Sequence, residues 1–133
     1  MSVTAPRPVL DAIAVTATDM ARSVAFYRLL GFDFDGVETN ADHVEPNTAP
    51  GAVRLMIDAA TLSETLIGEK PRPANHSGFA MLCATPTEVD RVAGEIASAG
   101  CTVVDAPWDA FWGQRYATVA DPDGYKIDLF APL

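Results

Sequence analysis

The chain has 133 residues and a mass of 14.1 kDa, enough for one compact domain with its own core and too few for two ordinary ones. Hydrophobic residues make up 49% and charged residues 20%, the balance of a folded rather than a disordered protein. Nine Lys and Arg stand against 18 Asp and Glu, a net charge of −9, which argues against phosphate backbones and anionic lipid surfaces and favours a neutral or cationic partner.

In chain order, Leu10 to Ala17 reads as an apolar strand, and Thr18 or Asp19 caps the helix that follows. Met20, Val24, Tyr27 and Leu30 form its core stripe, and Gly31 sits where left-handed geometry ends a helix. Phe32 to Glu38 is predicted as an edge strand, with a second short strand within Asp42 to Asn47. Ala49-Pro50-Gly51 marks a turn, and Val53 to Ile57 alternates as a strand. From Ala59 to Asn75 the pattern weakens into a connector punctuated by Gly68, Pro71 and Pro73.

The second half repeats the first. Gly78 to Ala84 is a strand, and Thr85-Pro86-Thr87-Glu88 is a capping box with proline at the first helical position. Val89, Val92, Ala93 and Ile96 form the stripe, Gly100 closes the helix, and it lies 69 residues after Gly31. Strands Cys101 to Val104, Arg115 to Ala120 and Tyr125 to Phe130 follow, the last two joined at Asp121-Pro122-Asp123-Gly124. Each half reads β-α-β-β-β, so the predicted fold is α+β: two such modules, about residues 9–66 and 76–132, packed as one domain.

Cys83 and Cys101 lack CxxC spacing and are expected as reduced core residues. The first eight residues lack the apolar run of a signal peptide, and no stretch approaches the roughly 20 apolar residues of a membrane span, so a cytoplasmic location is expected.

The doubled unit, with Asp19-Met-Ala-Arg-Ser-Val-Ala-Phe-Tyr27 and Leu30-Gly31-Phe32 in one half, resembles the vicinal oxygen chelate superfamily. Trp112-Gly-Gln-Arg-Tyr-Ala-Thr-Val119 and Asp121-Pro-Asp-Gly124 with Ile127-Asp-Leu-Phe130 carry the likeness in the other half. That superfamily includes glyoxalase I, ring-cleaving dioxygenases and bleomycin-resistance proteins, and the resemblance implies half-barrel clefts built from strands. It also implies where a divalent metal would be held. The first-strand positions, seven residues before each helix cap, fall on Ala12 and Gly78, and the last-strand positions on Leu55 and Asp128. Only Asp128 carries an oxygen donor, so no metal and no cofactor are expected, and catalysis is not favoured.

The remaining candidates are weighed against plainer roles. His43 and His76 lie beside polar residues in predicted loops and are expected to be solvent-exposed. Asp128 is either a general base or, the favoured reading, a carboxylate bonded to neighbours inside the cleft. Trp108, Phe111, Trp112 and Tyr116 place four of the eleven aromatic residues within nine positions, alongside Gln114 and Arg115. Such rings suit a planar ligand, while Trp112 and Tyr116 serve equally as core or dimer-interface residues. Trp108, in a loop-like stretch, is the preferred ligand-facing ring, Gln114 a donor to ligand carbonyls, and Arg115 a salt-bridge partner. This segment and the ending Asp128-Leu-Phe-Ala-Pro-Leu133 resemble the drug-resistance branch, the mitomycin-binding resistance proteins most nearly.

The resemblance therefore implies a homodimeric protein that sequesters a planar or cationic small molecule, with a metal-dependent lyase, isomerase or dioxygenase-related enzyme as the alternative. Asp33, Asp35, Glu38, Asp42 and Glu45, with no Lys or Arg among them, form either an acidic rim that attracts such cations or a solvated face.

Overall fold

The computed structural model describes residues 6–133. Strand β1 (Ala12–Ala17) leads into helix α1 (Met20–Leu29), where the Asp19 carboxylate accepts from the Arg22 backbone N–H at 3.2 Å. Strand β2 (His43–Val44) and strand β3 (Arg54–Ala59) follow, then helix α2 (Ala60–Ile67). The second half contains β4 (Ser77–Leu82), α3 (Pro86–Ser98), β5 (Thr102–Ala110), β6 (Gln114–Ala120) and β7 (Lys126–Pro132). The α3 cap is Thr85, which accepts from Glu88 N–H, while the Glu88 carboxylate reaches back to Ala84 N–H at 2.6 Å.

Two sheets result, in orders β1-β3-β2 and β4-β7-β6-β5, each with its first and last strands parallel. Period-two alternation gives each sheet one core face. Ile127, Leu129 and Ala131 of β7, with Ala117 and Val119 of β6, are buried beside Val89 and Ile96 of α3. Val15, Leu55 and Ile57 of the first sheet join the same cluster with Phe26 and Tyr27 of α1, so both modules share one core.

Three departures from the sequence expectation have local causes. The predicted strand Phe32 to Glu38 reduces to one bridge, Asp33 to Asn47. Here Asp33 Oδ1 accepts from Asp35 N–H at 2.8 Å, Asn47 Nδ2 donates to Asp35 O, and Gly36 turns with φ 71°, so local bonds replace a ladder. The connector after Ala59 contains α2, which no side chain caps at its start and which ends on Gly68 in left-handed geometry. Trp108 lies on β5 rather than in a loop; Pro107 is tolerated because β5 is an edge strand with irregular register.

The Asp121–Gly124 turn does more than join β6 to β7. Asp121 Oδ1 accepts from the backbone N–H of Asp123 and Tyr125, both at 2.9 Å. Its Oδ2 accepts from the buried Tyr27 hydroxyl of the other module at 2.7 Å. Asp123 receives Thr18 Oγ1 at 2.8 Å, and Tyr125 and Thr16 hydroxyls share a bond of 2.7 Å. Burial raises the Asp121 carboxyl and the Tyr27 phenol above their ordinary values, yet the pair is hydrogen-bonded. Tyr27→Phe leaves a buried carboxylate oxygen without its donor. It is expected to cost about 1–3 kcal/mol, read as a lower urea midpoint with unchanged slope. An unchanged midpoint would show that this bond is dispensable to the fold.

Candidate functional site

The face of the second sheet turned away from the core is built in rows, because register partners leave a sheet on the same side. One row crosses all four strands: Leu82 of β4, Phe130 of β7, Tyr116 of β6 and Trp108 of β5. The next row runs Ala80, Asp128, Thr118 and Asp105. An apolar row thus lies against a polar one.

The apolar row extends into the β5–β6 turn, where Phe111 is 91% exposed, Trp112 47% and Trp108 42%. Trp112 stands nearly perpendicular to Trp108, Phe111 and Tyr116, at centroid distances of 5.5, 4.9 and 5.1 Å. Tyr116 and Phe130 lie side by side, tilted by only 33°. The rings therefore form a corner, with Trp112 as wall and Tyr116 and Phe130 as floor. Gln114 Oε1 accepts from the Trp112 indole N–H at 2.8 Å and so holds the wall upright. Arg115 pairs with Asp90 at 2.9 Å and Asp109 at 3.1 Å and takes no part in this face.

Asp128 lies beside the corner. Its Oδ1 accepts from Ser77 Oγ at 2.6 Å and Thr118 Oγ1 at 2.7 Å, and its Oδ2 accepts from the Tyr116 hydroxyl. Partial burial and then the bond to Asp128 push the Tyr116 phenol up to about 12, so it remains a donor at neutral pH. All six sequence candidates thus belong to one face: Trp108, Phe111, Trp112, Gln114, Tyr116 and Asp128. A cavity of about 270 Å³ lies elsewhere, between β1, β4 and the connector, lined by Ile13, Val15, Pro73, Phe79, Tyr125 and Lys126.

The residues do not suit a metal. Counting from the helix caps, the first-module counterpart of Ala80 is Ala14, which pairs with Met56, so Met56 rather than Leu55 corresponds to Asp128. Leu55 is in the core. Ala12, Met56 and Gly78 offer no donor of the required kind, and three hydroxyls already occupy Asp128. Among the described residues no group of three or more His, Cys, Asp and Glu side chains is arranged to hold an ion.

The corresponding face of the first sheet carries charge instead. Thr16, Asp58 and His43 lie in one row across β1, β3 and β2. His43 is on a strand, not in a loop, and is engaged: Nδ1 lies 2.5 Å from Asp58 and Nε2 2.7 Å from Glu45. Glu45 also accepts from Arg54, which bonds Asp11 in turn at 2.7 Å. No short sequence spacing reveals this cluster, because β3 brings it together with the β2 segment. His76 is exposed and meets only the Ser77 carbonyl. The supposed acidic rim is largely used locally, since Asp33 and Glu38 cap turns and Glu45 is paired.

With this geometry the chain can be placed among known proteins. A βαββ half and a βαβββ half around a shared core define a glyoxalase-type fold. The profile of the Glyoxalase/Bleomycin resistance protein/Dioxygenase superfamily matches residues 9–129, and the chain belongs to that superfamily. It resembles the crystal structure of a glyoxalase-related enzyme from Fulvimarina pelagi, with a TM-score of 0.78 and 20% identity, covering 92% of this chain and 87% of that one. It also resembles lactoylglutathione lyase from Agrobacterium tumefaciens, with a TM-score of 0.65 and 17% identity over 96% of each chain. At these identities the likeness concerns the fold alone. An uncharacterised protein of Mycobacterium bovis is 45% identical over 49 residues, 37% of this chain and 32% of that protein, so the match covers about a third of that relative. No helix among the described residues is long and apolar enough to cross a membrane.

The bonds of His43, to Glu45 first and then Asp58, raise its pKa above the ordinary 6.5. A raised histidine contributes stability fully below the unfolded value and loses it as pH rises through the folded one. The wild-type urea midpoint is therefore expected to fall from pH 6 to pH 9 by more than that of His43→Gln. Equal falls would show that the cluster does not couple to folding.

Proposed function

We propose that the protein is a binding protein that holds a planar small molecule against the aromatic corner of the second sheet, without a metal. The observation that carries this reading is the ring row Phe130–Tyr116–Trp108 with Trp112 standing across it, while three of the four superfamily ligand positions, on the two sheets together, lack a donor. Flat rings give a planar ligand large, stiff contact area at little entropic cost, and the nearby hydroxyls and Gln114 supply orientation. The corner is open to solvent in one chain, and the reading includes a second copy that covers it in a homodimer. Sequestration of an antibiotic-like compound, as in the mitomycin-binding branch, is the form of action that fits a site with no evident reaction chemistry.

A metal-dependent lyase or dioxygenase remains the competing class, supported by the superfamily match. Elemental analysis of the purified protein separates the two, because stoichiometric nickel, zinc, manganese or iron would overturn the binding-protein reading.

Trp108 and Trp112 are the only tryptophans, so indole emission reports directly on this face. Titration with planar tricyclic compounds is expected to quench it, and Trp112→Ala to weaken binding about tenfold, the worth of one aromatic contact of roughly 1.4 kcal/mol. Absence of quenching by every planar compound tried, or binding indifferent to Trp112→Ala, would remove the corner as the ligand site.

A further inference from the structure

We infer that the ligand is an organic cation, a planar or aryl amine whose N–H group is anchored on Asp128 while its ring lies in the aromatic corner. This rests on the proposed use of that corner and adds the charge of what occupies it.

The argument starts from the carboxylate. An ionised carboxylate offers about four acceptor positions. Ser77 and Thr118 fill two on Oδ1 and Tyr116 fills one on Oδ2, so one position remains on Oδ2, the oxygen beside the Tyr116 ring. Hydroxyl donors solvate the carboxylate without cancelling its charge. Among the described residues no Lys, Arg or His nitrogen lies within ion-pair distance of Asp128. The nearest lysine along β7, Lys126, directs its ammonium to the Asn75 carbonyl at 3.3 Å.

The surroundings select the kind of cation. A divalent ion needs several charged or carbonyl oxygen donors, whereas the strand neighbour of Asp128 on β4 is Ala80 and its hydrogen-bond partners are neutral hydroxyls. An amine needs one acceptor and gains from ring faces, since a cation within about 6 Å of an indole or phenol centroid is attracted by the ring quadrupole. Tyr116 supplies one such ring beside Asp128, and Trp112 stands across it with its centroid 5.1 Å away. Asp105, the register partner of Thr118, adds a second negative charge at the far end of the same row. The polar row therefore presents two carboxylates and no cation beside an aromatic floor.

The test is calorimetry at pH 7.5 with three flat tricyclic probes: the cation proflavine, neutral acridine and the anion of anthracene carboxylic acid. The expected order is proflavine about tenfold or more tighter than acridine, with the carboxylate weakest, and the proflavine advantage shrinking at high salt. Asp128→Asn keeps the shape and is expected to bring proflavine to the level of acridine. Asp35→Asn, which makes the same change in net charge at a side chain engaged in no hydrogen bond, is expected to leave the advantage intact. Equal binding of proflavine and acridine by the unaltered protein overturns the inference while the aromatic corner stands. Equal losses in the two variants overturn it as well, because they assign the preference to overall charge. Failure of all three probes to bind removes both the anchor and the corner.

Discussion

Asp121 holds the two halves of the molecule in register by using one oxygen for its own turn and the other for the opposite module. Oδ1 gathers the backbone of Asp123 and Tyr125, which forms the turn, and Oδ2 takes the Tyr27 hydroxyl from α1. Once the turn is formed, Asp123 and Tyr125 are positioned to receive Thr18 and Thr16 from the end of β1. A single buried carboxylate thus fixes where β7 begins relative to the first sheet. Everything on the outer face of β7, including Asp128 and Phe130, inherits that placement. Both oxygens face donors, which is why a carboxylate is tolerated at 4% exposure.

The same residue type does opposite work seven positions later. Asp121 is tied into the core and is unavailable to a ligand; Asp128 is solvated by three hydroxyls on the open face. Of the four positions that the superfamily resemblance marks for a metal, the other three are Ala12 and Met56 on the first sheet and Gly78 on β4. None of the three offers a hard oxygen or imidazole donor to share an ion with Asp128.

What the sequence reveals follows from how local the responsible interaction is. The caps at Asp19 and Thr85, the Asp121–Gly124 turn and the β-α-β-β-β order of the second half are each settled within a few residues, and all are readable. The strand expected over Phe32 to Glu38 fails because Asp33 and Asn47 satisfy the Asp35 backbone by side-chain bonds, an alternative that apolar alternation does not report. Helix α2 is missed because it has neither a side-chain cap nor a long apolar stripe. Trp108 is taken for a loop residue because Pro107 precedes it, and only the edge position of β5 removes that objection. The aromatic segment is legible as composition, but the crossing row from Leu82 to Trp108 requires the pairing of four strands.

The two modules share a topology and differ in what their open faces carry. On the first sheet His43, Glu45, Asp58, Arg54 and Asp11 form a chain of alternating charges that satisfies itself. Glu45 is held below its usual range by its bonds to His43 and then Arg54, so it stays ionised at neutral pH. Of the acids that precede it in sequence, Asp33 and Glu38 are spent on turns. The net charge of −9 is therefore not spread evenly in its effect: most carboxylates near the first sheet already have partners, while Asp128 has donors but no counter-charge. Among the described residues, an exposed ring surface next to a carboxylate without a counter-charge is found on the second sheet and not on the first. That pairing, rather than the overall acidity, is what sets the open face of the second sheet apart from that of the first.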